Sequence, residues 1–194
     1  MKLYDYELSG NCYKIRLFLS LLNLPWQRQS VALGSENKTA DFLVKNPLGQ
    51  VPVLEEGELC LWDSQAILVY LARRWGPAWL PEEPSEMARI QSWLSLAANE
   101  IGNGPAALRR IHRFGRQENE SAARLLCERV FQALEARLSQ HDWLVGSAPT
   151  IADLSCYPYL ALAHEGRFAS QPFQAVERWF GRIEALPGYI PLPA

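Results

Sequence analysis

Three prolines stand within the nine residues Gly76-Pro77-Ala78-Trp79-Leu80-Pro81-Glu82-Glu83-Pro84, and the apolar pattern changes character across them. Before the break, short alternating runs are mixed with helical spacing. After Ser85 every long segment repeats at helical spacing alone. A proline-rich stretch of this kind resists regular structure and marks a boundary. The chain therefore reads as two domains of different class: an α/β domain over 1–76, a linker over 77–84 and an all-helical domain over 85–194. A length of 194 residues accommodates two small domains, and a hydrophobic content of 48% supplies a core for each and excludes a disordered chain.

Within the first domain, Lys2 to Leu8 alternates and predicts a strand. Ser9-Gly10-Asn11 is a turn signal. Cys12 to Leu22 predicts a helix in which only Lys14, Arg16 and Ser20 are polar, so it is expected to be buried on most faces against a sheet. Pro25 ends it, and Trp26 to Leu33 predicts a second strand. Thr39 to Lys45 predicts a short helix stopped before Asn46-Pro47. Val51 to Leu54 and Glu58 to Trp62 predict two strands joined by a tight hairpin at Glu56-Gly57. Asp63 is placed to cap a helix running to Trp75. The order is βαβ followed by ββα. In the second domain, helices are expected over 85–101, 121–138, 150–163 and 173–186, with Gly102, Gly104 and Pro105 interrupting the first.

Composition excludes several functions. A formal net charge of −2 gives no basic field for nucleic acid. The N-terminus carries acids where a leader would be apolar, and the longest apolar run, near Leu17 to Leu24, is too short to span a bilayer. These features predict a soluble, cytoplasmic protein without a nucleic-acid or membrane partner. Cys12, Cys60, Cys127 and Cys156 show no metal-ligand spacing, so free thiols and no metal are expected. Arg109, Arg110, Arg113 and Arg116 cluster with His112. That cluster reads either as a solvated helix end or as a rim attracting an anionic substrate.

Four groups of residues carry chemistry. Asn46-Pro47-Leu48-Gly49-Gln50-Val51-Pro52 places a proline where a strand opens, the strand position at which a missing N–H does no harm. A cis Val51–Pro52 bond there would turn the N–H and C=O of Val51 outward, free to pair with an extended peptide. Asp63-Ser64 offers helix N-terminal N–H groups and a hydroxyl to a carboxylate, besides a plain cap. Ser9 follows the first strand and precedes the first helix. Thr150-Ile151-Ala152-Asp153 is a capping box with Asp in place of Glu, a structural signature.

In order and spacing these motifs resemble those of the cytosolic glutathione transferases, closest to the serine-type bacterial and theta-like members. The resemblance covers nearly the whole chain. It implies a thioredoxin-like N-terminal domain, an all-helical C-terminal domain contributing the electrophile site, and glutathione as co-substrate. By the same resemblance Val51, before a cis Pro52, pairs with the cysteine of glutathione. Asp63 and Ser64 hold the γ-glutamyl group, although Asp63 is one methylene shorter than the family's usual Glu or Gln. Gln50 and Lys38 match positions contacting the γ-glutamyl and glycyl ends. Ser9 is expected to hydrogen-bond the thiolate, with Asn11 able to share that role, while Cys12 is expected to be a packed thiol. The implied activity is conjugation of glutathione to a small electrophilic, hydrophobic substrate by a homodimer. Two alternatives are another glutathione-dependent reaction on the same fold, namely disulfide reduction, peroxide reduction, dehalogenation or isomerisation, and a non-catalytic binding module.

Overall fold

The structure is a computed structural model describing residues 1–193. It divides into two compact units, Met1–Pro77 together with Pro187 onward, and Ala78–Leu186.

The first unit is built on a four-stranded sheet of order β2-β1-β3-β4, with β1 Lys2–Asp5, β2 Gln27–Ser30, β3 Val53–Glu56 and β4 Leu59–Trp62. β1 runs parallel to β2, pairing Lys2 with Gln27 and Asp5 with Ser30. It runs antiparallel to β3, pairing Tyr4 with Val53, and β3 runs antiparallel to β4, pairing Val53 with Trp62. The expected βαβ–ββα order is present, with shorter strands. β1 stops at Asp5 and not at Leu8, because Tyr6 to Ser9 turn back to start a helix. The hairpin places Gly57 at φ +58, the left-handed value that a two-residue turn demands and glycine adopts freely.

Helix α1, Gly10–Leu21, buries Cys12, Tyr13, Lys14, Ile15, Leu17, Phe18 and Leu19, as its near-continuous apolar pattern predicts. Lys14, one of the helix's three polar residues, is buried with them. α1 packs beside α3, Ser64–Trp75. The short α2, Ala40–Lys45, seats Phe42 against Val31 and Val53, with Tyr4 and Val51 packed around that cluster. Burying each such apolar side chain contributes roughly 1.5–3 kcal/mol. The tail after Leu186 belongs to this unit and not to the helical one, a correction to the boundary read from sequence. Its anchors are specific: the Tyr13 hydroxyl donates to the Ile190 carbonyl at 2.7 Å, and the Ser20 hydroxyl to the Gly188 carbonyl at 2.7 Å.

The second unit consists of α4 Pro84–Leu96, α5 Pro105–Phe114, α6 Glu120–Leu138, α7 Ile151–Ala161 and α8 Gln174–Glu184. The interruption expected near Gly102 is a π-helical turn over Ala97–Ile101 that runs on from α4. Gly104 follows it for a steric reason: a Cβ there would lie 2.8 Å from the Glu100 carbonyl and 3.0 Å from the Cys127 amide of α6. α7 is buried almost throughout. Its capping box is formed: the Thr150 hydroxyl oxygen accepts from the Ala152 N–H, and the Asp153 carboxylate accepts from the Thr150 N–H at 2.9 Å. Among the described residues no helix is long and apolar enough to cross a membrane.

Candidate functional site

The sheet register brings most of the sequence-marked residues of the first unit to one end. Asp5 closes β1 beside Ser30, so the loops toward Ser9 and toward Lys38 both leave the same edge. Val53 opens β3 opposite Tyr4, so Val51 and Pro52 approach that edge from the other direction. Trp62 ends β4 opposite Val53, and Asp63 and Ser64 follow it directly. Residues scattered from 9 to 64 thus share one end because parallel and antiparallel pairings alternate around β1.

Ser9 is the N-cap of α1: its hydroxyl oxygen accepts from the Cys12 N–H at 3.2 Å. Ser9 therefore has a structural role as a helix cap. It uses the oxygen as acceptor and leaves the hydroxyl proton to donate elsewhere. Asn11 lies in the first turn of α1 and is half-buried. Cys12 is fully buried, and its sulfur accepts from the Tyr6 N–H at 3.4 Å. Burial, reinforced by Asp5, pushes its thiol up to about 12, so it is a packed thiol and no nucleophile.

Beneath this turn lies a charged brace that no sequence pattern indicated. Asp5 is fully buried and pairs with Arg16 of α1 and with Arg28 Nε of β2, the latter at 2.5 Å. Arg16 also donates to the Glu7 carbonyl at 2.8 Å, which ties down the loop leading to Ser9. An alternating strand read from sequence gives Asp5 no reason to face inward, because its partners stand 11 and more residues away.

The Val51–Pro52 peptide is cis, as the family resemblance implies. The side chain of Val51 packs on the Val31–Phe42–Val53 cluster. Among the described residues its N–H and C=O enter no backbone hydrogen bond. Gln50 is exposed, and its carbonyl accepts from Asn46 Nδ2 at 2.8 Å. Lys38 is exposed at the end of a short 3₁₀ turn, Glu36–Lys38.

Asp63 caps α3 through one oxygen, Oδ1, which accepts from the N–H groups of Gln65 at 2.9 Å and Ala66 at 3.1 Å. Its backbone stands at φ +74, a conformation costing a non-glycine residue roughly 1–3 kcal/mol. Ser64 is buried at the first turn of α3. The helix N-terminus there offers N–H groups and positive potential, the chemistry that receives a carboxylate.

The basic cluster at the end of α5 is in large part paired with acids from elsewhere in the chain. Arg109 and Arg113 both pair with Glu165, Arg110 makes a two-pronged pair with Glu118 at 2.7 and 2.8 Å, and His112 meets Glu120 at 3.0 Å. Arg109, Arg110 and Arg113 are thus paired with acids brought from 118 and 165, while Arg116, beyond the end of α5, is exposed as the solvated-end reading expects. All four cysteines are free, and among the described residues no group of three or more His, Cys, Asp or Glu is placed to hold a metal ion.

Comparison with known proteins agrees with this arrangement. Residues 1–73 match the family described as glutathione S-transferase, N-terminal domain, and residues 105–187 match glutathione S-transferase, C-terminal domain. Glutathione S-transferase GstB of Escherichia coli K12 is 29% identical over 191 residues, covering 92% of this chain and 90% of that protein. A maleylacetoacetate isomerase of Pseudomonas aeruginosa is 30% identical, covering 97% and 93%. The crystal structure of a glutathione S-transferase from Pseudomonas fluorescens is similar with a TM-score of 0.93 at 34% identity, covering 100% of this chain and 98% of that one. With both domains matched and relatives aligned along nearly their full length, the chain belongs to the glutathione S-transferase family, whose co-substrate is glutathione.

Proposed function

We propose that this chain is a serine-type glutathione transferase that conjugates the thiolate of glutathione to a small electrophilic, hydrophobic substrate. The observation that carries the reading is the Ser9 cap, whose oxygen accepts from Cys12 N–H while its proton stays free to donate to a sulfur. In this reading Val51 pairs its backbone with the cysteinyl residue. Asp63, Ser64 and Gln50 receive the γ-glutamyl group, and Lys38 receives the glycyl carboxylate. Asn11 stands by as a second donor in the first turn of α1.

The chemistry can be bounded. An ordinary thiol titrates near ~8.5, so about 3% is thiolate at neutral pH. Lowering it by about two units takes ~2.7 kcal/mol. One hydrogen bond to a charged group supplies ~1.5–3 kcal/mol and a helix N-terminus ~0.3–1 kcal/mol, so Ser9 and α1 suffice together. The thiolate fraction rises roughly 25-fold while intrinsic nucleophilicity falls roughly 8-fold, a net gain of about threefold. Holding both reactants in place must supply most of the remaining acceleration. In the step itself the thiol proton leaves to solvent, the sulfur lone pair forms the new C–S bond, and the leaving group departs with its electron pair.

The test is a calorimetric titration of glutathione into wild type and Ser9→Ala, with thiolate absorbance followed across pH and conjugation of a chloronitroarene measured alongside. The expected outcome is binding by both proteins, a lowered thiol pKa in wild type only, and conjugation slowed about threefold in the variant at neutral pH. Equal pKa values in both would move the role to Asn11 or the helix N-terminus. Binding by neither would leave a non-catalytic module. The resemblance to a relative named as an isomerase favours one second reading, a glutathione-dependent isomerisation. There the thiol adds and departs again, so product forms while total glutathione stays constant.

The same reading includes a two-fold homodimer in the cytoplasm. Supporting the dimer, Val44 of α2, Leu48 and the β4 residues Leu59 and Trp62 expose apolar side chains around a sheet edge. Such a surface is normally covered in a soluble protein.

A further inference from the structure

Asn37 is buried between two loops, at 6% exposure, and uses both ends of its amide. Its Oδ1 accepts from the Gly34 N–H at 2.6 Å, and its Nδ2 donates to the Gly49 carbonyl at 2.7 Å. The first bond lies within a loop already closed on itself. There the Ala32 N–H donates to the Glu36 carboxylate at 2.8 Å, and the Lys38 N–H donates to the Ser35 carbonyl at 3.0 Å. The second bond reaches the run before Val51, which Asn46 closes in turn: its Oδ1 accepts from the Leu48 N–H at 3.0 Å, and its Nδ2 donates to the Gln50 carbonyl.

The two loops meet at Gly49. Its φ is +62, and a Cβ built there would lie 2.6 Å from the Asn37 carbonyl oxygen and 3.1 Å from Lys38 Nζ. Backbone therefore touches backbone at this point, and the Lys38 ammonium lies over Gly49, the residue before Gln50. A lysine on a four-carbon stem has no fixed geometry of its own, so the place of its charge is set by the loop that carries it. Among the described residues, the buried side chain that binds that loop to the Asn46–Gln50 run is Asn37.

We propose that Asn37 is a positioning residue that holds the Lys38 ammonium beside Gln50 and Val51, and so forms the subsite for the glycyl carboxylate of glutathione. This rests on the glutathione-binding reading above. It goes beyond it in assigning a role to a residue that touches no ligand. Loss of the Asn37–Gly49 bond lets the loops part, and Lys38 then no longer reaches a carboxylate presented over Gln50.

The experiment uses the full chain and two ligands, glutathione and γ-glutamylcysteine, which lacks the glycyl residue. Two variants approach the contact from opposite sides. Asn37→Asp is nearly isosteric and keeps the acceptor toward Gly34, but it loses the donor toward Gly49. Gly49→Ala forces the two backbones apart. The expected result is that the Kd for glutathione rises roughly tenfold in each variant, the worth of one charge-assisted contact. The Kd for γ-glutamylcysteine should stay within about twofold, and the pKa of the bound thiol should not move. A parallel rise for both ligands would show general loosening of the fold and overturn the proposal, as would no change for either. A wild type that binds both ligands equally has no glycyl subsite and also overturns it. A wild type that binds neither overturns the functional reading itself.

Discussion

A serine that caps a helix spends its oxygen and keeps its proton, and at Ser9 this division allows one residue to be structural and chemical at once. Cys12, three residues on, is the opposite case. Its backbone N–H completes the cap, while its thiol is sealed in the interior with a pKa pushed up to about 12. Cys127 is pushed up to about 12 by burial as well, Cys156 is buried, and Cys60 alone is exposed. A thiol must ionise and be reached to react. A disulfide-exchange reagent at mild alkaline pH is therefore expected to find Cys60 alone in the native chain, and all four cysteines after denaturation. Reaction at Cys60 should itself be slow, since partial burial and then Glu55 raise its thiol. A second reactive native thiol would mean that the fold opens around Cys12, Cys127 or Cys156 on the reagent's timescale. At this scale the legible residues were those whose signal is local: Ser9 after a strand, the Val51–Pro52 pair, Asp63 and Ser64 before a helical pattern. Asp5, Arg16 and Asn37 were not legible, because each is defined by a partner brought near only by the fold.

Helices and strands were legible in kind and order, less so in their ends. β1 and β2 are each cut to four residues, since pairing stops where β1 turns toward α1. The separate helix α5 was not anticipated, because Gly102, Gly104 and Pro105 read as a stop, whereas Pro105 is the first residue of a new helix that lacks nothing by having no N–H. The box at the start of α7 was legible to the residue, and the structure adds its reach. Besides Thr150, the fully buried Asp153 accepts from the Leu144 N–H at 3.0 Å and from Trp179 Nε1 at 2.9 Å. Burial raises the Asp153 carboxyl, and these donors act against that rise. Asp153→Ala would strand at least three buried donors, each costing ~1–3 kcal/mol. The expected loss is about 3 kcal/mol or more in urea unfolding. A loss below about 1 kcal/mol would mean that water or a shifted side chain replaces the carboxylate.

For the whole molecule, two units of unlike class were readable from the proline cluster, but the ownership of the tail was not. Pro187 stops a helix, as its chemistry demands. Where the chain goes next depends on Tyr13 and Ser20, well over a hundred residues earlier, which accept it against α1. The exposed apolar edge at β4 belongs to this scale too. Trp62 is 42% exposed and Leu48 57%, apolar surface that the proposed dimer would cover. Light scattering on an eluting column should give twice the 22.0 kDa chain mass for wild type. Trp62→Glu should give the single mass at micromolar concentration. A wild type that elutes as one chain would remove the dimer from the proposed function.

What the sequence determined by itself is what depends on neighbours along the chain. This covers the division into an α/β and a helical domain, the βαβ–ββα order, and the caps at Asp63 and Thr150. Each is set by backbone sterics or by hydrogen bonds spanning a few residues. Only the tertiary structure decided which residues meet across that distance. The sheet register carried positions 9 to 64 to one end, Glu118 and Glu165 paired with the arginines of α5, and Asn37 was joined to Gly49. Those pairings follow from packing and from the closing of loops between distant segments, and they leave no periodic trace in the order of the amino acids.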